Sequence, residues 1–458
     1  MFYIRAIILE YPNSMDLIRG IACVICGALV WGSVNAQEKR DAEEVSGSSK
    51  KVEIVKTDDG VALKTKKFTF KPYGFIRNDF YYDSRSNFET ANGLFYIIPK
   101  DKDLNEHGQD MNEDPTLNFM SIATRLGVRV SGPEFLKAQT LGVVEGDFAG
   151  CGASPTIVRL RQAHFDLTWT KLSLILGQTW HPMFGDVLPN IQSLATGSPF
   201  QPFNRSPQIR LNWQIDEHAR LFGSALWQFQ YTTTGPDGGT ADYMIKGKMP
   251  EFYLGWDWKG NGWTIGLGAD VMRLSMPDSV EINCAGQKMF AQSQDHIVSC
   301  AFDAYVQYHS LDGKLQVKGK TIIGGNMSHL LLLSGFGLST HEEDGSLTWT
   351  NLKNSTSWID VVYGKTWKAG LFLGYMKNLG TDDQLLSESS TYVFGFNNLD
   401  YVYRIAPMVV YDVKHWSFGV EYERTTAAYG KLNLDNGKAE HSHEVSNNRI
   451  VAIAMYYF

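Results

Sequence analysis

The chain has 458 residues, a formal net charge of -7, 43% hydrophobic and 13% aromatic residues, and 43 glycines. The mild acidic balance argues against a nucleic-acid surface, which needs clustered basic groups. After the N-terminal region no apolar run approaches the ~18 residues of a spanning helix, so composition alone reads as a soluble all-β protein.

The N-terminus changes that reading. Met1–Ser14 has the form of an upstream extension, because an export pattern starts again at Met15. Arg19 supplies a positive start, Ile21–Trp31 an apolar stretch, and Val34-Asn35-Ala36 the small residues of a cleavage site, which places the cut after Ala36. The apolar stretch is too short for an anchor helix. Cys23 and Cys26 lie inside it rather than after it, which excludes a lipoprotein. Beyond the cut remain Cys151, Cys284 and Cys300, an odd set that is no disulfide framework. Pairing of Cys284 with Cys300 and three free thiols both stay open. Residues 37–67 are charged and polar and read as a flexible periplasmic lead-in.

From residue 68 to 458 the pattern is that of strands. Expected strands lie near 68–83, 119–131, 138–150, 156–169, 172–180, 207–215, 219–231 and 250–259. They continue near 262–273, 297–309, 313–325, 354–364, 366–377, 400–411, 414–426 and 447–458. That is about sixteen, an even number as in single-chain bacterial barrels. In Gln208–Ile215, Ile209, Leu211, Trp213 and Ile215 fall on one face and Gln208, Arg210, Asn212 and Gln214 on the other. Successive side chains of a strand point to opposite faces, so this segment separates an oily medium from a watery one. Short turns alternate with long connections, apart from a brief link at 150–155. Apolar faces often begin and end in Trp or Tyr, and the last strand runs to Phe458. Soluble sandwiches also alternate, but short turns on one side, long loops on the other and aromatic girdles are the pattern of a transmembrane antiparallel β-barrel.

One connection is unlike the others. Residues 181–206 are rich in Phe, Met, Leu and Ile, and are punctuated by Pro182, Pro189, Pro199 and Pro202, with Pro207 at the boundary. A solvent loop would be polar. A loop folded into the lumen packs one side on the barrel wall, so it tolerates apolar residues, and its prolines reduce the conformers to be frozen. This segment, between the fifth and sixth strands, is the expected constriction loop. Asp186, Asn204 and Arg205 are expected where solutes pass.

The strand count, the turn pattern and the closing Tyr456-Tyr457-Phe458 resemble the trimeric sixteen-stranded porins of Gram-negative outer membranes. A narrower resemblance lies in VRLRQAHFDLTW (Val158–Trp169) followed by LGQTWHPMFGD (Leu176–Asp186). An Arg-bearing strand before a Gly-Gln-Thr-Trp strand end is similar to the DcaP-like porins. The resemblance implies a homotrimer in the outer membrane and passive diffusion of small hydrophilic solutes. Members of that family can carry an N-terminal helical extension. Residues 37–67 show no heptads, so no coiled coil is carried over.

A pore has no catalytic step, no cofactor and no catalytic residue; its chemistry is a narrow wet lumen whose charge decides what passes. Arg77 and Asp79 share a face opposite Ile76, Phe80 and Tyr82. Arg125 and Arg129 fall opposite Leu126, Val128 and Val130. Glu145 and Asp147 share a face, Arg210 lies on its polar face, and Lys318 and Lys320 fall opposite Val317 and Gly319. Arg159 and Arg161 share a parity with Ala163 and Phe165, so they reach the lumen only if a bulge flips the strand. Charge at the lipid midplane costs ~2–4 kcal/mol for Arg or Lys, which drives these groups inward or to the rim. Two readings stay open: a basic ladder that selects anions such as dicarboxylates, held bidentately by guanidinium forks, or a lining ion-paired with Asp79, Glu145, Asp147, Asp166 and Glu421. Acidic patches at 101–103, 113–114, 341–344 and 382–383 match no twelve-residue calcium loop, and His441 and His443 lack a third ligand, so no metal is expected. A long-chain fatty-acid channel would need a plug that 37–67 does not supply. An outer-membrane enzyme would need a triad or carboxylate set, of which the sequence gives no signal. A loop-borne adhesin is permitted but not demanded.

Overall fold

The computed structural model describes residues 53–57, 60–150, 156–277, 279–284, 287–292, 296–340 and 347–458. The expected export segment 1–36, most of the lead-in, Cys151 and the side chain of Cys284 lie outside them. Cys300 lies on the outward face of its strand and has no disulfide partner among the described residues. Part of the segment expected as a flexible lead-in is ordered: Glu53–Thr57 and Gly60–Lys64 form a hairpin, and Leu63 and Lys64 pair with Phe70 and Thr69.

Sixteen antiparallel strands close on themselves. They are β1 (Thr69–Asp83), β2 (Thr116–Met120 and Arg125–Phe135), β3 (Ala138–Gly150), β4 (Ile157–Thr168), β5 (Leu172–Trp180), β6 (Arg205–Gln214), β7 (Ala219–Leu226) and β8 (Glu251–Gly260). After these come β9 (Trp263–Ser275), β10 (His296–His309), β11 (Leu315–Gly325), β12 (Leu347–Gly364), β13 (Trp367–Gly380), β14 (Leu399–Val413), β15 (Trp416–Leu432) and β16 (Ala439–Tyr457). Each pairs with its chain neighbour. β16 returns to β1 in register from Arg449↔Asp83 to Tyr457↔Phe75, and Phe458 and Gly74 exchange backbone hydrogen bonds of 3.1 and 3.2 Å. Closure leaves the barrel without a free edge strand. β12, β15 and β16 run past their expected ends: the β15–β16 ladder continues to Leu432↔Ala439, well into a segment expected as loop.

The two faces are sharply different. Ile209, Leu211, Phe252, Leu254, Ile265, Leu267, Val409, Phe418 and Val420 stand exposed outward, while their alternates point inward, as the two-residue period requires. At the short-turn end, directly paired aromatics sit side by side on the outer face: Trp263 with Tyr308, Trp367 with Tyr411, and Trp416 with Tyr456, at ring separations of 4.6, 4.7 and 4.7 Å. Amphipathic rings at that height mark a bilayer interface.

The core lies inside the barrel. The hairpin Asn87–Thr90 and Phe95–Pro99, between β1 and β2, supplies buried Phe95, Ile97 and Ile98. The β5–β6 connection supplies Phe184, Val187, Ala195, Phe200 and Phe203, and the wall supplies Trp358, Phe372, Met376 and Val402. The greasy Pro-rich loop is therefore a lumen element, and its apolar side chains are buried against the wall rather than exposed to solvent.

Candidate functional site

The motif that carries the narrower resemblance has a local physical reason. In the β3–β4 ladder Glu145 pairs with Gln162 and Gly146 with Leu160, so Arg161 is an extra residue, a β-bulge. This is the flip that the parity conflict required. It turns Arg159 and Arg161 inward while Val158, Leu160 and Phe165 stay outward and exposed. Across the ladder, Gly177 adopts φ of +123°, and a Cβ there would collide with the Ala163 carbonyl. The Gln178 amide donates to the carbonyls of Leu160 and Arg161 at 3.0 and 3.2 Å, the backbone groups beside the bulge. Trp180 then lies stacked on Phe184 with ring centroids 3.9 Å apart, and the guanidinium carbons of Arg205 and Arg161 stand 4.8 and 5.6 Å from its ring. Gln178→Leu is therefore expected to cost about 1–3 kcal/mol by leaving buried carbonyls unpaired, read as a lowered melting temperature of the folded barrel in detergent.

Charged wall residues hold the lumen loop by its backbone. The Lys320 ammonium donates to the carbonyls of Met183 and Phe184 at 2.9 and 2.8 Å, and Lys318 to Leu188 O at 3.0 Å. Asp360 accepts the Asn190 N–H at 3.0 Å, and Glu421 accepts those of Gln192 and Ser193 at 2.7 and 3.2 Å. Arg77 and Arg404 donate to Gln192 O and Ser198 O at 2.6 and 3.0 Å. A loop buried away from water must have its N–H and C=O groups satisfied, and these wall charges do it. Lys318, Lys320 and Arg77 thus act as loop staples rather than free lining charge.

The staples lie on β1, β11, β12, β14 and β15. The loop leans on that arc, and Trp358, Phe372, Val402 and Glu421 are buried beneath it. Inward side chains of the opposite arc, β2 to β8, keep partial exposure: Arg125, Arg129, Arg159, Gln162, His164, Asp166, Arg210, Asn212 and Arg220. Six arginines there, Arg125, Arg129, Arg159, Arg161, Arg210 and Arg220, stand against five carboxylates on the same strands, Glu145, Asp147, Asp166, Glu251 and Asp257. Arg161 is buried, bonded to Glu145 at 2.8 Å and Asp147 at 2.7 Å; Arg159 grips Asp147 through two nitrogens at 3.0 and 2.8 Å. Arg125 stands 3.6 Å from Glu145, and Arg129 covers the Tyr73 ring at 4.4 Å. Asp186, on the loop, faces this arc and meets Arg220 at 3.1 Å and Lys259 at 3.2 Å. Burial would raise its carboxyl, but Lys259 and Arg220 hold it below the ordinary range.

Two expected passage residues are elsewhere. Asn204 is fully buried and donates to His329 O at 2.8 Å. Arg205 is fully buried among Trp180, Phe203 and Tyr231, with its Nη2 on the Tyr231 hydroxyl at 2.6 Å. Their position at the root of the loop, where it rejoins β6, puts them under the aromatic packing rather than at its tip. Arg220 and Asp257 were missed, although the parity of ARLFGSAL (Ala219–Leu226) and EFYLGWDW (Glu251–Trp258) places both inward.

Among the described residues the one group with metal-ligand types close together is His181, Glu251 and His329. The His181 Nδ1 accepts the Met183 N–H at 3.1 Å, so the neutral ring carries its proton on Nε2, the atom facing Glu251. Histidine ligands show the reverse, a ligating nitrogen with a bare lone pair and an N–H on the other side. The cluster does not fit a metal.

A closed antiparallel barrel with an apolar outer belt and an inward-folded loop defines an outer-membrane β-barrel fold. No family model matches the sequence, and no curated protein sequence does. Solved structures do match in fold. The outer membrane channel DcaP of Acinetobacter baumannii superposes with a TM-score of 0.61 at 18% identity, covering 85% of this chain and 97% of that one. OmpT, an outer membrane protein of Vibrio cholerae, gives 0.52 at 12% identity, covering 89% and 100%.

Proposed function

We propose that this protein is an outer-membrane porin for the passive diffusion of small hydrophilic solutes, with a preference for anions such as dicarboxylates. One observation supports the reading: the loop is stapled to the β11–β1 side, and on this reading solutes pass along the β2–β8 arc, where six arginines stand against five strand carboxylates. Guanidinium forks in a confined channel attract carboxylates and phosphates and hold them bidentately. A homotrimer goes with this reading; a trimer form is described for the Vibrio cholerae protein, whose fold matches with a TM-score of 0.51. In planar bilayers under a potassium chloride gradient, the reversal potential is expected to report chloride over potassium. Replacing Arg125, Arg129 and Arg210 together by Gln is expected to move it toward potassium. A wild-type channel that favours potassium, or a selectivity that the triple variant leaves unmoved, defeats the anion preference. Silence in bilayers with a folded barrel defeats the porin.

A further inference from the structure

The root of the lumen loop is held by a buried side-chain cluster that the passage does not use. His181 is the first loop residue, His329 sits in the turn Ser328–Leu330 between β11 and β12, and Glu251 begins β8. The Nε2 atoms of both histidines lie on the same Glu251 Oε1, at 2.8 and 3.1 Å. All three side chains are buried. Backbone ties converge on the same place. The His181 N–H donates to Asn204 O at 3.0 Å, joining the two ends of the loop, and the Phe203 N–H donates to Leu330 O at 2.8 Å.

Proton positions follow from the partners. His181 Nδ1 accepts the Met183 N–H, so its one proton is on Nε2 and points at Glu251. His329 Nδ1 is buried without a partner. A proton there would be a buried donor with no acceptor, so His329 also keeps its proton on Nε2. Glu251 Oε1 thus receives an N–H from each of the two imidazoles. A second proton on His181 has only Nδ1 to occupy, where it would face the Met183 N–H. Two donors cannot share that contact, and the bond that opens the loop's first turn is lost.

We propose that His181 is a proton-operated latch: neutral, it pins the root of the lumen loop to the barrel wall, and protonated, it releases that root. The idea is independent of which solutes pass. Glu251 on β8 favours an extra positive charge on His181; His329 on its turn and Arg210 on β6 oppose it. Burial, the largest influence, pushes the imidazole below its ordinary range despite the pull of Glu251. The released ring binds protons at its ordinary value of about 6.5 and the docked ring does not, so docking weakens as pH falls below about 6.5, by up to about tenfold per pH unit.

Hydrogen exchange on the full-length folded barrel in detergent tests this. After correction for intrinsic rates, protection of the Met183, Phe184 and Gly185 amides is expected to fall about tenfold per unit between pH 6 and about pH 5. Strand amides should hold theirs. His181→Gln keeps a donor toward Glu251 but takes up no proton, and its protection is expected to be independent of pH. His181→Asn keeps an acceptor for the Met183 N–H and should behave alike, which guards against one variant failing to fold. His218→Gln, in an exposed turn, is expected to match the wild type. Flat protection in the wild type, or wild-type pH dependence in a folded His181 variant, overturns the latch.

Discussion

Replacing Leu188–Pro199 by a short Gly-Ser bridge is expected to raise single-channel conductance several-fold while the barrel still folds. The removed segment spans the lumen, and its backbone holds the contacts to Lys318, Asp360, Glu421, Arg77 and Arg404. Without it those charges face water, which solvates them, and Arg77 retains Asp79 at 2.6 Å. The ladder hydrogen bonds are all between strands and do not involve the loop. The loss falls on packing inside the barrel, where Ala195 and its neighbours are buried, and not on closure of the sheet. Selectivity should weaken along with the rise in current, because Asp186 would no longer be held against Arg220 and Lys259. Unchanged conductance in a variant that retains heat-modifiable mobility on a gel would sink the placement of the loop in the current path.

Leu254→Arg is expected to destabilise the folded barrel by about 2–4 kcal/mol, whereas Asn212→Arg should be nearly neutral. Leu254 is in the middle of β8, outward and 58% exposed, and its ladder partners are Gly223 and Ala269. A guanidinium there enters the hydrocarbon unless it bends to the interface. Asn212 points the other way, into the watery lumen beside Ser173, at 2.9 Å. Urea unfolding in phospholipid vesicles measures both. Equal tolerance at the two positions would contradict a lipid belt on the outer face, and with it the membrane reading of the alternation.

Much of the architecture is legible because it is local. A strand's two-residue period forces alternation wherever one side meets lipid and the other water, so QIRLNWQI (Gln208–Ile215) declares its faces without knowledge of its neighbours. The same logic exposed the bulge: Arg159 and Arg161 contradict the parity of Ala163 and Phe165, and one extra residue at Arg161 resolves it. The composition of 181–206 was enough to place that loop in the lumen, since an apolar Pro-stiffened segment needs a wall to cover it. An equivalent signal in FYIIP (Phe95–Pro99) was not read, and that segment also enters the core, with Ile97 and Ile98 fully buried.

The sequence by itself determined the sheet, its two faces, its even strand number and the inward loop, because each follows from contacts between residues adjacent in the chain or from a medium that every strand shares. Only the tertiary structure decided what each inward charge does. Lys320 and Met183 are 137 positions apart, Glu421 and Gln192 are 229, and His181 and Glu251 are 70. Whether an inward cation lines a passage or staples a buried carbonyl depends on which side of the barrel the loop leans against. That is fixed by packing across the lumen, which no local period encodes. For this reason Arg205 and Asn204, expected in the solute path, are buried at the loop's root, and Arg220 keeps partial exposure between Asp186 and Asp257.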